Sequence, residues 1–299
     1  MAAGLQVVLS QPTFLDRLEF KGQAENDLRK KVKLERVLHR KLRALDQEIA
    51  QTFTRVLART GSVISIEERA LEPLSAMLRS HYHDTAAKFD SLIRNKLPTD
   101  VAITAAEEAT ISTALSTHFD QKAAEQAKLI LKTHQKNAVD SLKLGTEAAE
   151  LEAGGAATRE AIARNSGRIL DRKFIGREQG ISVLETLHPA EAAKATEAEV
   201  LSLSDGLSVR DERPTTEIHK VWTTQGDHRV RGPDPSDKFD HLKADEQSVL
   251  VGKPFKVSGQ ELDYPGDTKL GASIGNVARC RCATRYDTRE ITEVRRRAA

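Results

Sequence analysis

Cys280 and Cys282 are the only cysteines among 299 residues, and both stand in one Cys-Arg-Cys unit. Together with His241 they offer a metal two sulfurs and a nitrogen. Zinc takes about four such ligands in a tetrahedron, and Asp227 or His228 could supply the fourth. Residues i and i+2 of an extended chain point the same way, which suits shared ligation and equally suits packing. The other reading is therefore two small side chains buried where a module closes. Two cysteines exclude an all-cysteine site within one chain, and a disulfide between them would close a strained short ring. Other chemistry is sparse. The chain has no Walker-type phosphate loop, no His-Glu-x-x-His and no Gly-x-Ser-x-Gly elbow. Asp227-His228 beside His241 could enter a metal nuclease, but the carboxylate cluster such chemistry wants is missing. His81 and His83, two apart on a predicted helix, face different sides and are expected at the surface.

The residues around these candidates read as a small α+β module. Ile218 to Thr223 alternates like a strand, Ser248–Val251 and Phe255–Val257 are short strand candidates, and Ser258-Gly259-Gln260 is a turn. Trp222 and Phe255 are expected as core anchors. Arg229 and Arg231 alternate, so both can face one side and pair with Asp227, Asp263 or Asp267, phosphate contact being the other use. Tyr264-Pro265-Gly266-Asp267 reads as a turn in which Asp267 bonds local backbone.

Upstream the pattern is helical. From Leu28 the series Leu38, Leu42, Leu45, Ile49, Phe53, Val56 advances in steps of three and four, with Thr60-Gly61-Ser62 as its stop. A second helix is predicted from about Ile66 to Leu97, with Pro73 near its first turns and Asp100 as the cap of the next. That third helix, from about Val101 to Leu144, carries Ile111, Leu115, Phe119, Ala123, Ala127, Ile130, His134, Ala138 and Leu142 on one stripe. Gly145 is its expected C-cap and Gly154-Gly155 a hinge. Shorter helices are predicted for Thr158 to Phe174 and Pro189 to Leu203. Lys30, Lys33, Arg36, Arg40 and Arg43 give the first helix a basic face. It could touch DNA, but Glu25, Asp27, Glu35, Asp46 and Glu48 flank it, so a solvated face is the simpler reading. The Arg295-Arg296-Arg297 end reads likewise as a charged tail.

Forty-six basic against 44 acidic residues leave a net charge of +2, which favours protein over DNA as the main partner. No apolar run reaches the roughly 18 residues of a membrane helix. Met1-Ala2-Ala3-Gly4 opens no basic-then-apolar leader, so secretion is not expected. Prolines, glycines and the single Trp concentrate in the last third. The fold class expected is therefore mainly α, with long extended helices, followed by a loop-rich α+β module of short strands.

The order of pieces in that last third carries a resemblance. Lys220-Val221-Trp222-Thr223-Thr224 is followed by Asp227-His228-Arg229-Val230-Arg231, then His241-Leu242-Lys243-Ala244-Asp245-Glu246-Gln247 and Val251-Gly252-Lys253-Pro254-Phe255. Tyr264-Pro265-Gly266-Asp267 and Asn276-Val277-Ala278-Arg279-Cys280-Arg281-Cys282 close the series. This series, across roughly residues 215 to 285, resembles the head morphogenesis family of tailed bacteriophages, the Mu protein F-like minor head proteins. Gly232 to Asp240 reads as an insertion, and Asn276 lies further upstream of the Cys-Arg-Cys unit than is usual in that family. The resemblance implies an N-terminal arm (1–20), a helical region (21–205), the Mu F-like module (206–286) and a charged tail (287–299). It implies a virion component in few copies, made in the host cytoplasm. Such a protein binds the portal, the major capsid or scaffold protein, and in some readings packaged DNA or copies of itself. It assists head assembly, packaging or genome delivery without turnover or a required cofactor. Two alternatives remain. One is a metal-dependent nuclease or toxin-like transferase on a helical carrier, and the other is a DNA-binding helical adaptor.

Overall fold

The structure is a computed structural model that describes residues 14–89, 103–203, 215–224, 230–232, 238–278 and 280–291. The protein is mainly helical. Four long helices come first: α1 (Phe14–Thr60), α2 (Ile66–Ala86), α3 (Ala105–Ala153) and α4 (Arg159–Ser202). The strands follow: β1 (Thr215–Thr223), β2 (Ser248–Leu250), β3 (Phe255–Val257), β4 (Gln260–Leu262) and β5 (Ala283–Ile291), with a one-turn helix α5 (Ile274–Val277) before β5. A 3-10 turn (Leu242–Ala244) precedes β2.

The apolar stripes are where periodicity puts them. Leu38, Leu42, Ile49 and Phe53 of α1 are buried, as are Ile111, Leu115, Phe119, Ala123, Ala127, Ile130, His134 and Ala138 of α3. α1 stops at Thr60, where Gly61 takes the left-handed φ of 72° that a side chain resists.

Four boundaries differ from expectation, each for a local reason. α2 ends at Ala86 in a turn to Phe89; residues 90–102, with Asp100, lie outside those described. α3 is capped by Thr104. Its hydroxyl accepts from the Glu107 N–H at 3.2 Å while the Glu107 carboxylate accepts from the Thr104 N–H at 2.7 Å, a reciprocal capping box. Gly145 does not end α3. A Cβ there would lie 2.1 Å from Ser166 Oγ and 2.5 Å from the Ser166 backbone nitrogen, so the glycine is a point of close approach between α3 and α4. The helix instead runs to Ala153, and Gly154 turns the chain at φ 64°. Finally, the two short helices predicted after Thr158 are one 44-residue helix with Pro189 inside it. Buried polar residues Glu178, Ser182, Glu185, Thr186, His188, Glu191, Lys194 and Glu197 erase the apolar period that would have joined them.

The chain divides into two compact units. One, purely helical among the described residues, comprises 32–84 and 117–186. The other comprises 1–31, 85–116 and 187–299 and carries all the described strands. In it β1 is central, antiparallel to β2 on one side and to β5 along nine residues on the other, from Thr215 opposite Ile291 to Thr223 opposite Ala283. β3 and β4 form a separate hairpin. Its loop residues Ser258 and Gly259 both take positive φ, 51° and 77°, as a twisted two-residue hairpin turn requires.

Candidate functional site

β1 sends Ile218, Lys220 and Trp222 to one face by strand alternation, and all three are buried. Trp222 packs edge-on against Phe255 of β3 at 5.3 Å between centroids and against His241 at 5.8 Å. Both expected aromatic anchors are thus wholly buried and in contact.

His241 opens the 3-10 turn, held by its N–H to the Arg231 carbonyl at 3.0 Å. Cys280 and Cys282 lead into β5. Both sulfurs lie 3.5 Å from His241 Nδ1. The imidazole and both thiols are almost wholly buried, and their ligand atoms all fall within 4.8 Å of one another. On the far side of the ring, Nε2 is 2.9 Å from Asn276 Oδ1. The Asn276 amide nitrogen in turn donates to the Val257 carbonyl at 3.3 Å and to Gln260 Oε1 at 3.1 Å. Those two acceptors orient the amide, so its oxygen faces His241 and the proton sits on Nε2. In the neutral imidazole Nδ1 therefore presents its lone pair to the sulfurs. A hydrogen bond from the Cys282 thiol, aided by His241, pulls the Cys280 thiol below its ordinary value. The same bond pushes Cys282 up. Burial opposes the imidazolium, yet the Cys280 sulfur and Asn276 outweigh it and raise His241.

Among the other motif residues, Arg231 braces this cluster. Arg231 donates to the Gly275 carbonyl and, at 2.9 Å, to the Ala278 carbonyl, with its guanidinium over the Phe239 ring. It thereby holds α5, which carries Asn276. Of the carboxylates expected beside it, Asp263 pairs with Lys220, Asp267 bonds local backbone and Asp227 lies outside the described residues. Pro265 and Gly266 form the turn, with the Asp267 N–H on the Tyr264 carbonyl at 3.0 Å and Gly266 at φ 90°. Asp267 bonds local backbone, accepting from the Asp263 N–H at 3.1 Å and the Lys269 N–H at 2.8 Å. Asp227, His228 and Arg229 lie outside the described residues, as does the Arg295 to Arg297 tail.

A second cluster in this unit was missed in the sequence. Glu191 of α4, fully buried, meets Lys31 of α1 at 2.5 Å and Lys194 at 2.8 Å. Its other oxygen accepts from the Thr284 N–H at 2.8 Å, while Lys194 donates to the Thr284 carbonyl at 2.9 Å. Both backbone groups of one β5 residue are thus held by α4, which covers the sheet edge there. Burial alone would raise Glu191, but Lys194 and Lys31 bring it below its ordinary value. Lys220 is the strand counterpart: almost wholly buried, it pairs with Asp263, donates to that residue's carbonyl at 2.8 Å, and lies over Phe255. The signal available in the sequence was a lysine at period two between Ile218 and Trp222.

The basic face of α1 is smaller than its sequence suggests. Lys30, Lys33, Arg36 and Arg40 are exposed. Lys31 is buried against Glu191, and Arg43 is drawn to Asp171 at 3.0 Å and Glu178 at 3.2 Å. His81, expected at the surface, is 2 % exposed and shares a hydrogen bond with Thr186 at 2.9 Å. His83 is exposed and edge-on to Phe119.

Compared with known proteins, the chain matches no family model, no curated protein and no solved structure. No described helix is long and apolar enough to cross a membrane.

Proposed function

We propose that this chain is a minor head protein of a tailed bacteriophage, acting by binding rather than turnover. In this reading it sits at the portal or inner capsid and assists head assembly, DNA packaging or genome delivery. It works in the virion and, during assembly, in the host cytoplasm.

One observation carries the reading. Trp222, Arg231, His241, Phe255, Cys280 and Cys282, drawn from an ordered series some 60 positions long, occupy one core or brace it. Chance matches to short motifs have no reason to fold onto one another; the pieces of one module do. Supporting it, the helical unit exposes Leu129, Val139, Leu144, Leu151 and Ile175, apolar side chains that would gain burial on docking to protein. The reduced cationic face on α1 offers a poor match to a phosphate backbone, which wants a broader basic patch.

The test is mass spectrometry of purified procapsids and virions from the phage that encodes the chain. Its peptides are expected in one or both particle types, far below the major capsid protein in amount. Absence from both overturns the proposal.

A further inference from the structure

We propose that His241, Cys280 and Cys282 bind one zinc ion through Nδ1 and two thiolates, three of the four positions of a tetrahedral site. The inference rests on these residues alone and stands apart from the head-protein reading.

The distances come first. Zinc–nitrogen bonds of about 2.0–2.1 Å and zinc–sulfur bonds of about 2.3 Å at a tetrahedral angle separate nitrogen from sulfur by about 3.5–3.6 Å. Both sulfurs lie 3.5 Å from Nδ1. The tautomer comes second. Asn276, fixed by Val257 and Gln260, takes the Nε2 proton, so Nδ1 offers one lone pair. Both sulfurs, themselves in contact, converge on that lone pair at one distance. A cation at that lone pair satisfies both. The outer contact agrees, because a histidine that ligates zinc ordinarily gives its other N–H to an oxygen that sets the ring's orientation. Asn276 is that oxygen here.

The same atoms spell another chemistry. Cysteine, histidine and asparagine in this order can activate a nucleophilic thiol. Burial decides between the two. Cys280 is 4 % and Cys282 1 % exposed, which leaves no approach for a substrate, and the second thiol has no part in such a relay. Zinc uses both. It would tie the segment opening at His241 to the entrance of β5.

The experiment uses the full chain, purified under reducing conditions and titrated with zinc and with cobalt(II). We expect one metal per chain by elemental analysis. The cobalt form should show a thiolate-to-cobalt charge-transfer band and the visible bands of a tetrahedral ion. Cys280→Ser or Cys282→Ser should lose more affinity than Asn276→Leu, whose loss should be roughly 10- to 100-fold. If the serine variants do not fold, the cobalt spectrum of the unaltered chain decides alone. Reduced thiols without a thiolate–cobalt band overturn the proposal. So does rapid alkylation of Cys280 in the folded chain that zinc does not slow, which would point to the nucleophile instead.

Discussion

Glu185 and Glu191 are six residues apart on α4, both buried, one in the helical unit and one in the strand-bearing unit. Their surroundings shift them in opposite directions. Burial pushes the Glu185 carboxyl up to about 7, its near partner being the Tyr82 hydroxyl. Glu191 meets two lysines and is held below the ordinary range. Burial raises every carboxylate, and the neighbours decide whether the rise survives. The helical unit buries polar groups in pairs, such as His134 on Asp46 at 2.8 Å and Tyr82 on Glu185. The strand unit ties its buried charges to backbone, and so uses them to position β5.

The largest effect should come from breaking that tie. Glu191→Ala leaves Lys31 and Lys194 buried together and strips the Thr284 N–H of its acceptor. We expect a loss of about 3–5 kcal/mol. Urea unfolding followed by the fluorescence of Trp222, the single Trp and a resident of this unit, reads it. A loss below about 1 kcal/mol would show the charges to be incidental.

Glu185 should behave in the opposite sense. Its folded-state pKa lies above its unfolded value near 4.5. The unfolded chain therefore ionises first, and stability contributed by the protonated form falls as pH rises from about 4.5 to about 7. The full cost above that window is up to about 3 kcal/mol. Glu185→Gln should flatten this slope and raise stability at pH 8 relative to the unaltered chain, as thermal melts by circular dichroism would report. An unchanged slope would remove Glu185 as its source.

Gly145 within α3 and Gly154 just past its end sharpen the comparison within the helical unit. Gly145→Ala drives a methyl into the Ser166 backbone and should cost about 1–3 kcal/mol. Gly154→Ala meets no atom within 4 Å and carries only the strain of φ 64°, about 1 kcal/mol. Equal losses in the two variants would contradict the close α3–α4 approach. The smallest effect belongs to Lys33, Arg36 and Arg40, where reversal to Glu should stay within about 0.5 kcal/mol each.

How much of this was legible in the sequence depended on where the polar residues lay. Periods of three and four found α1 and most of α3 because their buried faces are apolar. The turns at Gly61, Ser258-Gly259 and Pro265-Gly266 were legible because positive φ selects particular residues. The module's core aromatics and its sulfur–imidazole cluster were legible from residue type. α4 was not, because a helix buried along Leu187–Lys194 carries histidine, glutamate and lysine inward, and Pro189 reads as a break. Gly145 looked like a cap because a sequence does not show the neighbouring helix. Asn276 was noticed only as displaced from its usual spacing. A single turn of helix, α5, brings it back to His241.

The central functional claim is that the chain is a low-copy component of a phage head. An asymmetric reconstruction of particles that contain it tests this most directly. The expected result is density for the chain at one vertex, beside the portal or on the inner capsid wall, in few copies. Its absence from the particle, or its repetition over the whole shell in step with the major capsid protein, would contradict the claim.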